Sequence, residues 1–246
     1  GSEMCIRDRV KGETRPGVLL VGSNPWTVAL ARELKELGTP VTLTDSSWQR
    51  LAPARQKGVP IYHGEILNEA TEHNLDLAPF QSLVAATDNE AYNALVCNEF
   101  AHEMGRDKVF QLGEDVGHED KRALPESLRG RALFSSGYGV EEVHRLQREG
   151  WVFRKTKLSS KFSFEDAKKT LPDNAEMLMV LRENGNTRFF THANTPEPRE
   201  GDTVLSYSPP STRRVEEAAS RSEKKKKEAE SGTGPGRPLP AGGETS

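Results

Sequence analysis

The chain has 246 residues, with 34 basic and 37 acidic side chains, a formal net charge of −3 and two cysteines. That balance offers nucleic acid no bulk electrostatic attraction, and no apolar run approaches the ~20 residues of a membrane helix. Cys5 and Cys97 lie far apart, which argues against a disulfide framework and suits a reducing compartment. No secretory signal peptide is visible, and the length accommodates one sizeable α/β domain with a smaller companion.

The two ends are expected to stand outside the fold. Gly1-Ser2 reads as a cleavage scar, and Glu3 to Arg9 matches no element and resembles translated adapter, so residues 1–14 are set aside as a non-native or disordered lead. Residues 209–246 are poor in apolar side chains and carry Lys224-Lys225-Lys226-Lys227 before a Gly/Pro-rich end. Such a composition buries too little surface to offset ordering entropy, so a solvated, disordered tail is expected there in preference to a lipid contact.

Between the ends, strand and helix signals alternate. Val18 to Val21 is a short buried strand, and Ala29 to Leu37 is a helix with Leu30, Leu34 and Leu37 on one face, closed by Gly38. Val41 to Thr44 is the second strand; Asp45-Ser46-Ser47 then supplies N-cap chemistry for a helix reaching Gln56. Pro60 to His63, Ser82 to Ala86 and Val109 to Leu112 follow as strands, separated by helices at Leu67 to Leu75 and from Asp88 to Met104. On that last helix Cys97 lies in a stripe with Ala94, Ala101 and Met104 and reads as a small core residue. Strands alternating with such helices imply an α/β, Rossmann-like, doubly wound parallel sheet over residues 15–135.

After Leu133 the pattern changes. Ser135 to Gly139 is a hinge-like break, and residues 136–150 form a hinge with a connecting helix at Val140 to Glu149. Residues 151–208 then read as a smaller α+β domain. Its strands are at Trp151 to Lys157, Glu176 to Arg182, Thr187 to Thr191 and Thr203 to Tyr207, with a helix at Phe164 to Thr170. Glu183-Asn184-Gly185-Asn186 is a hairpin turn signal.

The stretch VGSNPW, residues 21–26, leads from the first strand into the first helix, where a dinucleotide fold places three glycines. Gly22 fills the first place; Asn24 and Thr27 stand in the other two. Asn24 brings a side chain to where phosphate would approach, Pro25 subtracts one N–H donor, and Trp26 adds bulk. Asp45, about twenty residues on, matches the acid that accepts from ribose hydroxyls, or is a plain helix cap. An NADP site needs an arginine beside that acid, and Ser46, Ser47 and Trp48 follow instead, which argues against NADP.

IYHGEILNEATEHNLDL and SLVAATDNEAYNALVCNEFAHEMG resemble the regulatory nucleotide-binding domain of potassium transport, the RCK or TrkA-N family. The carrying elements are Gly64-Glu65-Ile66 after the third strand and Ala86-Thr87-Asp88-Asn89 after the fourth. Residues 151–208, with a Gly201-Asp202 turn before the last strand, resemble the companion TrkA-C domain. GSNPW with Asp45 and Trp48, and the segment LRGRALF, resemble the cytosolic carboxy-terminal part of bacterial sodium (potassium)/proton antiporters of the monovalent cation:proton antiporter family.

The resemblance implies a non-enzymatic sensor on the cytoplasmic face of the bacterial inner membrane, a homodimer attached to a membrane antiporter domain in the parent protein. It places Gly22, Ser23, Asn24, Pro25, Trp26, Asp45, Ser46, Gly64, Glu65, Ile66, Ala86 and Thr87 around the cleft. The missing glycines favour an AMP-like adenine nucleotide over NAD as its ligand. The alternatives are an NAD-dependent oxidoreductase, a gating-ring subunit of a potassium channel or uptake system, and a dimerisation scaffold with a vestigial pocket. The scattered histidines have no metal-site spacing; His118-Glu119-Asp120 reads as a solvated loop, and His63 as a strand end. Trp48 is expected to pack its helix on the sheet, in preference to covering an adenine.

Overall fold

GVLLV, all buried, forms β1 (Gly17–Val21). A strand buried on both faces belongs inside a parallel sheet, and the computed structural model, which describes residues 15–113 and 128–210, puts it there. Around it run β2 (Val41–Asp45), β3 (Ile61–His63), β4 (Phe80–Ala85), β5 (Val109–Gln111) and β6 (Arg131–Ala132). Their order is β3-β2-β1-β4-β5-β6, all parallel, so the chain reverses direction across the sheet between β1 and β4. This is the doubly wound order with its switch point at those two strands.

The alternation along β1 sorts the core into two layers. Val18 and Leu20 face α1 (Pro25–Glu36) and α2 (Trp48–Gln56), while Leu19 and Val21 face α4 (Glu90–Met104), where Cys97 is buried as the periodicity predicts. The short α3 (Glu69–Asn74) lies between β3 and β4. The sequence starts the first helix at Ala29, but α1 begins four residues earlier, because Asn24 caps it and Pro25 fills its first position.

The second sheet is antiparallel. It comprises β7 (Val152–Lys157), β8 (Glu176–Leu181), β9 (Thr187–Phe189) and β10 (Thr203–Ser208) in the order β7-β10-β8-β9, with α6 (Phe164–Thr170) beside it. It shares a hydrophobic core with the first. Trp26 of α1 is fully buried, its ring 6.2 Å from Phe134 and 5.7 Å from Phe153, and Tyr207 completes the cluster 4.9 Å from Phe153. Lys155 of β7 adds polar bonds to α1, with Nζ 2.8 Å from Glu33 and 2.5 Å from Glu36. The described residues up to Pro209 accordingly form one compact unit.

The chain passes between the sheets at Phe134, a buried residue with φ 67°, and then through α5 (Val140–Arg148). A bulky residue in the left-handed region is strained. Phe134 is held there by its aromatic neighbours Trp26, Tyr138 and Tyr207 and by its amide, which donates to Phe190 at 3.1 Å. No helix among the described residues is long and apolar enough to cross a membrane. The expected lead, most of the expected tail and His118-Glu119-Asp120 fall outside the described residues.

Candidate functional site

A cavity of about 510 Å³ opens at the carboxyl ends of β1 and β4, the switch point where such sheets take ligands. Seven of the expected residues line it: Gly22, Ser23, Asn24, Pro25, Asp45, Ala86 and Thr87. Gly22 is required there, because at φ +95° an added Cβ would meet Thr87 Cγ2 at 2.7 Å and its amide nitrogen at 2.9 Å.

The turn around Gly22 satisfies its own donors. Asn24 Oδ1 accepts from Trp26 N and Thr27 N, each at 3.0 Å, in the place a phosphate oxygen would take. Asn24 N donates to Thr27 Oγ1 at 2.9 Å, Gly22 N to Thr44 O at 2.8 Å, and Ser23 N to Asp45 Oδ2 at 2.8 Å. Pro25 has no N–H, so every amide from Gly22 to Thr27 is spent within the protein. Thr27 and Asn24, the two departures from the glycine pattern, together close the anion hole with a capping box. Asn24 Nδ2 also donates to Ala86 O at 2.7 Å, binding the turn to the end of β4.

Asp45 is likewise engaged. Arg50 Nε lies 3.0 and 2.9 Å from its two oxygens, Arg50 Nη2 is 2.7 Å from Oδ1, and Ser47 N donates to Oδ1 at 2.8 Å. With the bond from Ser23 these fill the acceptor capacity of a carboxylate. Burial opposes its ionisation, but Arg50 and the two amides outweigh burial and hold its pKa below the ordinary value. A ribose must therefore share Asp45 with Arg50 or displace it. The structure thus corrects the argument that no arginine stands beside this acid: Arg50, five residues on, returns to it from the first turn of α2. The helix cap is neither Asp45 nor Ser46 but Ser47, whose Oγ accepts from Arg50 N at 3.4 Å.

The other family elements also bond inwardly. Thr87 N and Oγ1 donate to the buried Asn93 Oδ1 at 2.9 and 2.6 Å, and Asn93 Nδ2 returns a bond to Thr87 O at 3.0 Å. Gly64 N donates to Asp45 O at 3.1 Å, and Glu65 accepts from the Tyr92 hydroxyl. Burial and that neighbouring carboxylate push the Tyr92 pKa well up. Gly64, Glu65 and Ser46 flank the cavity without lining it. Trp26 and Ile66 depart further from expectation: both are buried in the core, on opposite faces of the sheet. Trp48 is 55% exposed and stacks on His63 at the end of β3, with ring centroids 4.4 Å apart, so it joins α2 to the sheet edge as expected but without entering the core.

The outer wall holds residues that the sequence alone does not assign to the cleft. Arg50, Pro53 and Lys57 come from α2, Asp88 from the β4–α4 loop, and His144 and Gln147 from α5. His144 Nε2 is buried without a hydrogen-bond partner among the described residues. Burial pushes its pKa down, the Arg148 charge adds to this, and Asp88 opposes it. The amphipathic pattern of α5 signalled its packing, but its approach to the turn depends on the tertiary crossing at Phe134. No group of His, Cys, Asp and Glu able to hold a metal ion occurs among the described residues.

The family model for the TrkA-N domain matches residues 18–121. Solved structures similar to this chain include the TrkA-N domain of the inner membrane protein ybaL from Escherichia coli, at 19% identity and TM-score 0.35, covering 39% of this chain and 72% of that one. The NAD(P)-binding domain of an exopolyphosphatase-related protein from Archaeoglobus fulgidus is 17% identical with TM-score 0.37, covering 44% of this chain and 80% of that one. The GsuK RCK domain is 12% identical with TM-score 0.37, covering 84% of this chain but 46% of that one. No curated protein matches. With its sheet order and matched residues, the amino-terminal domain is a Rossmann-like fold of the TrkA-N type.

Proposed function

We propose that this chain is a regulatory, ligand-sensing module of a monovalent cation transport protein, taking a small adenine nucleotide of the monophosphate class into the cleft. The carrying observation is that the cavity has two walls of different origin. The inner wall is the glycine turn and the end of β4; the outer wall includes α5, which leads into the antiparallel sheet. A ligand touching both biases the packing of the sheets by its differential affinity for the two arrangements. The matched TrkA-N domain supports the regulatory class, while GSNPW and LRGRALF support an antiporter as the attached machine. The resemblance further supports self-association as a dimer at the cytoplasmic side of the membrane.

The spent amides favour a mononucleotide over NAD, whose pyrophosphate needs the donors that Asn24 occupies. The engaged states of Asp45 and Thr87 suit binding better than turnover. The same closure favours a second reading, a dimerisation scaffold whose pocket binds nothing.

A thermal-shift panel of AMP, ADP, ATP, NAD and NADH separates the two. A ligand at a hundred times its Kd stabilises the folded state by about 2.7 kcal/mol, so AMP should raise the melting midpoint clearly and NAD less. A panel without any shift sinks the sensor and leaves the scaffold.

A further inference from the structure

A nucleoside monophosphate needs hydrogen-bond donors for its phosphate, and the glycine turn has none to spare. The uncommitted donors lie opposite. Arg50 gives Nε and Nη2 to Asp45, while its Nη1 makes no bond among the described residues. Lys57 Nζ has no partner there, and the His144 ring lines the same cavity, its unpaired Nε2 turned away from solvent.

We propose that the cleft holds the phosphate of its ligand on the α2–α5 wall, between Arg50, Lys57 and His144, and not on the glycine turn. This inference rests on the adenylate reading above and specifies it. The wall has the chemistry of an anion subsite: the Lys57 ammonium, a planar guanidinium that Asp45 holds in position with one nitrogen left free, and an imidazole that gains a proton when an anion arrives.

The charges around His144 fix the sign of its response. Asp88 attracts its proton, and Arg148, on its own helix, repels it; Arg50, paired with Asp45, and Lys57 line the same cavity from α2. The facing surface of α1, Pro25, Val28 and Ala29, carries no charge. Bound phosphate adds negative charge to this setting and stabilises the imidazolium, so His144 takes up a proton on binding. By linkage, AMP then binds more tightly as the pH falls through the His144 pKa of the complex toward the lower one of the free protein.

The test is an NMR titration of the His144 ring, with AMP and adenosine affinities measured for wild type, His144→Gln and Lys57→Gln. AMP should raise the His144 pKa and adenosine should not. Each substitution should weaken AMP about tenfold, the scale of one lost charge-assisted hydrogen bond, and leave adenosine unchanged. Comparison with His144→Gln removes the ionisation of the AMP phosphate itself, and exposed Lys57 gives a variant that leaves the core intact. AMP binding equally to all three proteins, with His144 unshifted, overturns the phosphate placement and leaves the sensor standing. Binding of neither AMP nor adenosine to wild type overturns the sensor, and this placement with it.

Discussion

Asn24 Nδ2 donates to the carbonyl of Ala86 at 2.7 Å, so the residue that replaces a glycine in the first βα turn also ties that turn to the fourth strand. One side chain thus caps α1, occupies its anion hole and joins the two strands at the switch point.

Asn24→Ala should lower stability by about 0.5–2 kcal/mol, the range for loss of an N-cap. Asn24→Gly costs the cap only a few tenths of a kcal/mol and uncovers the amides of Trp26 and Thr27. It should therefore gain affinity for NAD at a cost of about 1 kcal/mol in urea unfolding, mainly the lost bond to Ala86. If the glycine variant binds NAD no better than the parent, side-chain occupancy is not what keeps dinucleotides out.

The Asp45–Arg50 pair makes an acid-sensitive contribution. The folded pKa of Asp45 lies below its ordinary 3.8, so the contribution is complete above 3.8 and is lost as the pH falls through the lower folded value. Asp45→Asn should cost about 2 kcal/mol at pH 7, the scale of hydrogen bonds to a charged group. Unfolding of both proteins at pH 7 and near the lower limit checks this: the gap between them should shrink in acid. A gap independent of pH contradicts the assignment.

Trp26 joins α1 to the second sheet, and Trp26→Ala should cost about 3–5 kcal/mol through the cavity it leaves. Trp26→Phe keeps an aromatic ring and removes an Nε1–H that has no partner among the described residues. It should cost under about 1.5 kcal/mol. Calorimetry of the two variants measures both, and similar losses would show that ring packing is not the main term.

Much of the fold was legible because periodicity reports burial directly. The helix from Asp88 to Met104, the buried strand at Val18 to Val21 and the Glu183–Asn186 hairpin turn all depend on local pattern, and the structure shifts their ends by only a few residues. The site was less legible, because its chemistry depends on side-chain direction. Arg50 stands five residues beyond Asp45, in the first turn of the next helix, a reach that adjacency in sequence does not show. Trp26 follows Pro25 as though it flanked the cleft, yet the start of α1 turns it into the core. His144 and Gln147 enter only through the tertiary path of α5, which no motif records.

Burial pushes the Cys97 thiol up to about 12, despite bonds from the Gly130 and Ala85 backbone. Cys97 should therefore resist thiol reagents in the native protein at pH 8 and react at the unfolding rate once denaturant is added. Mass spectrometry of the labelled peptide follows it, and rapid native labelling of Cys97 would contradict the burial.

A crystal structure grown with saturating AMP is decisive for adenylate binding in the cleft. Adenylate density should span the turn and α5, with Asn24 still bonded to Trp26 and Thr27. A cleft holding only solvent under those conditions would contradict it.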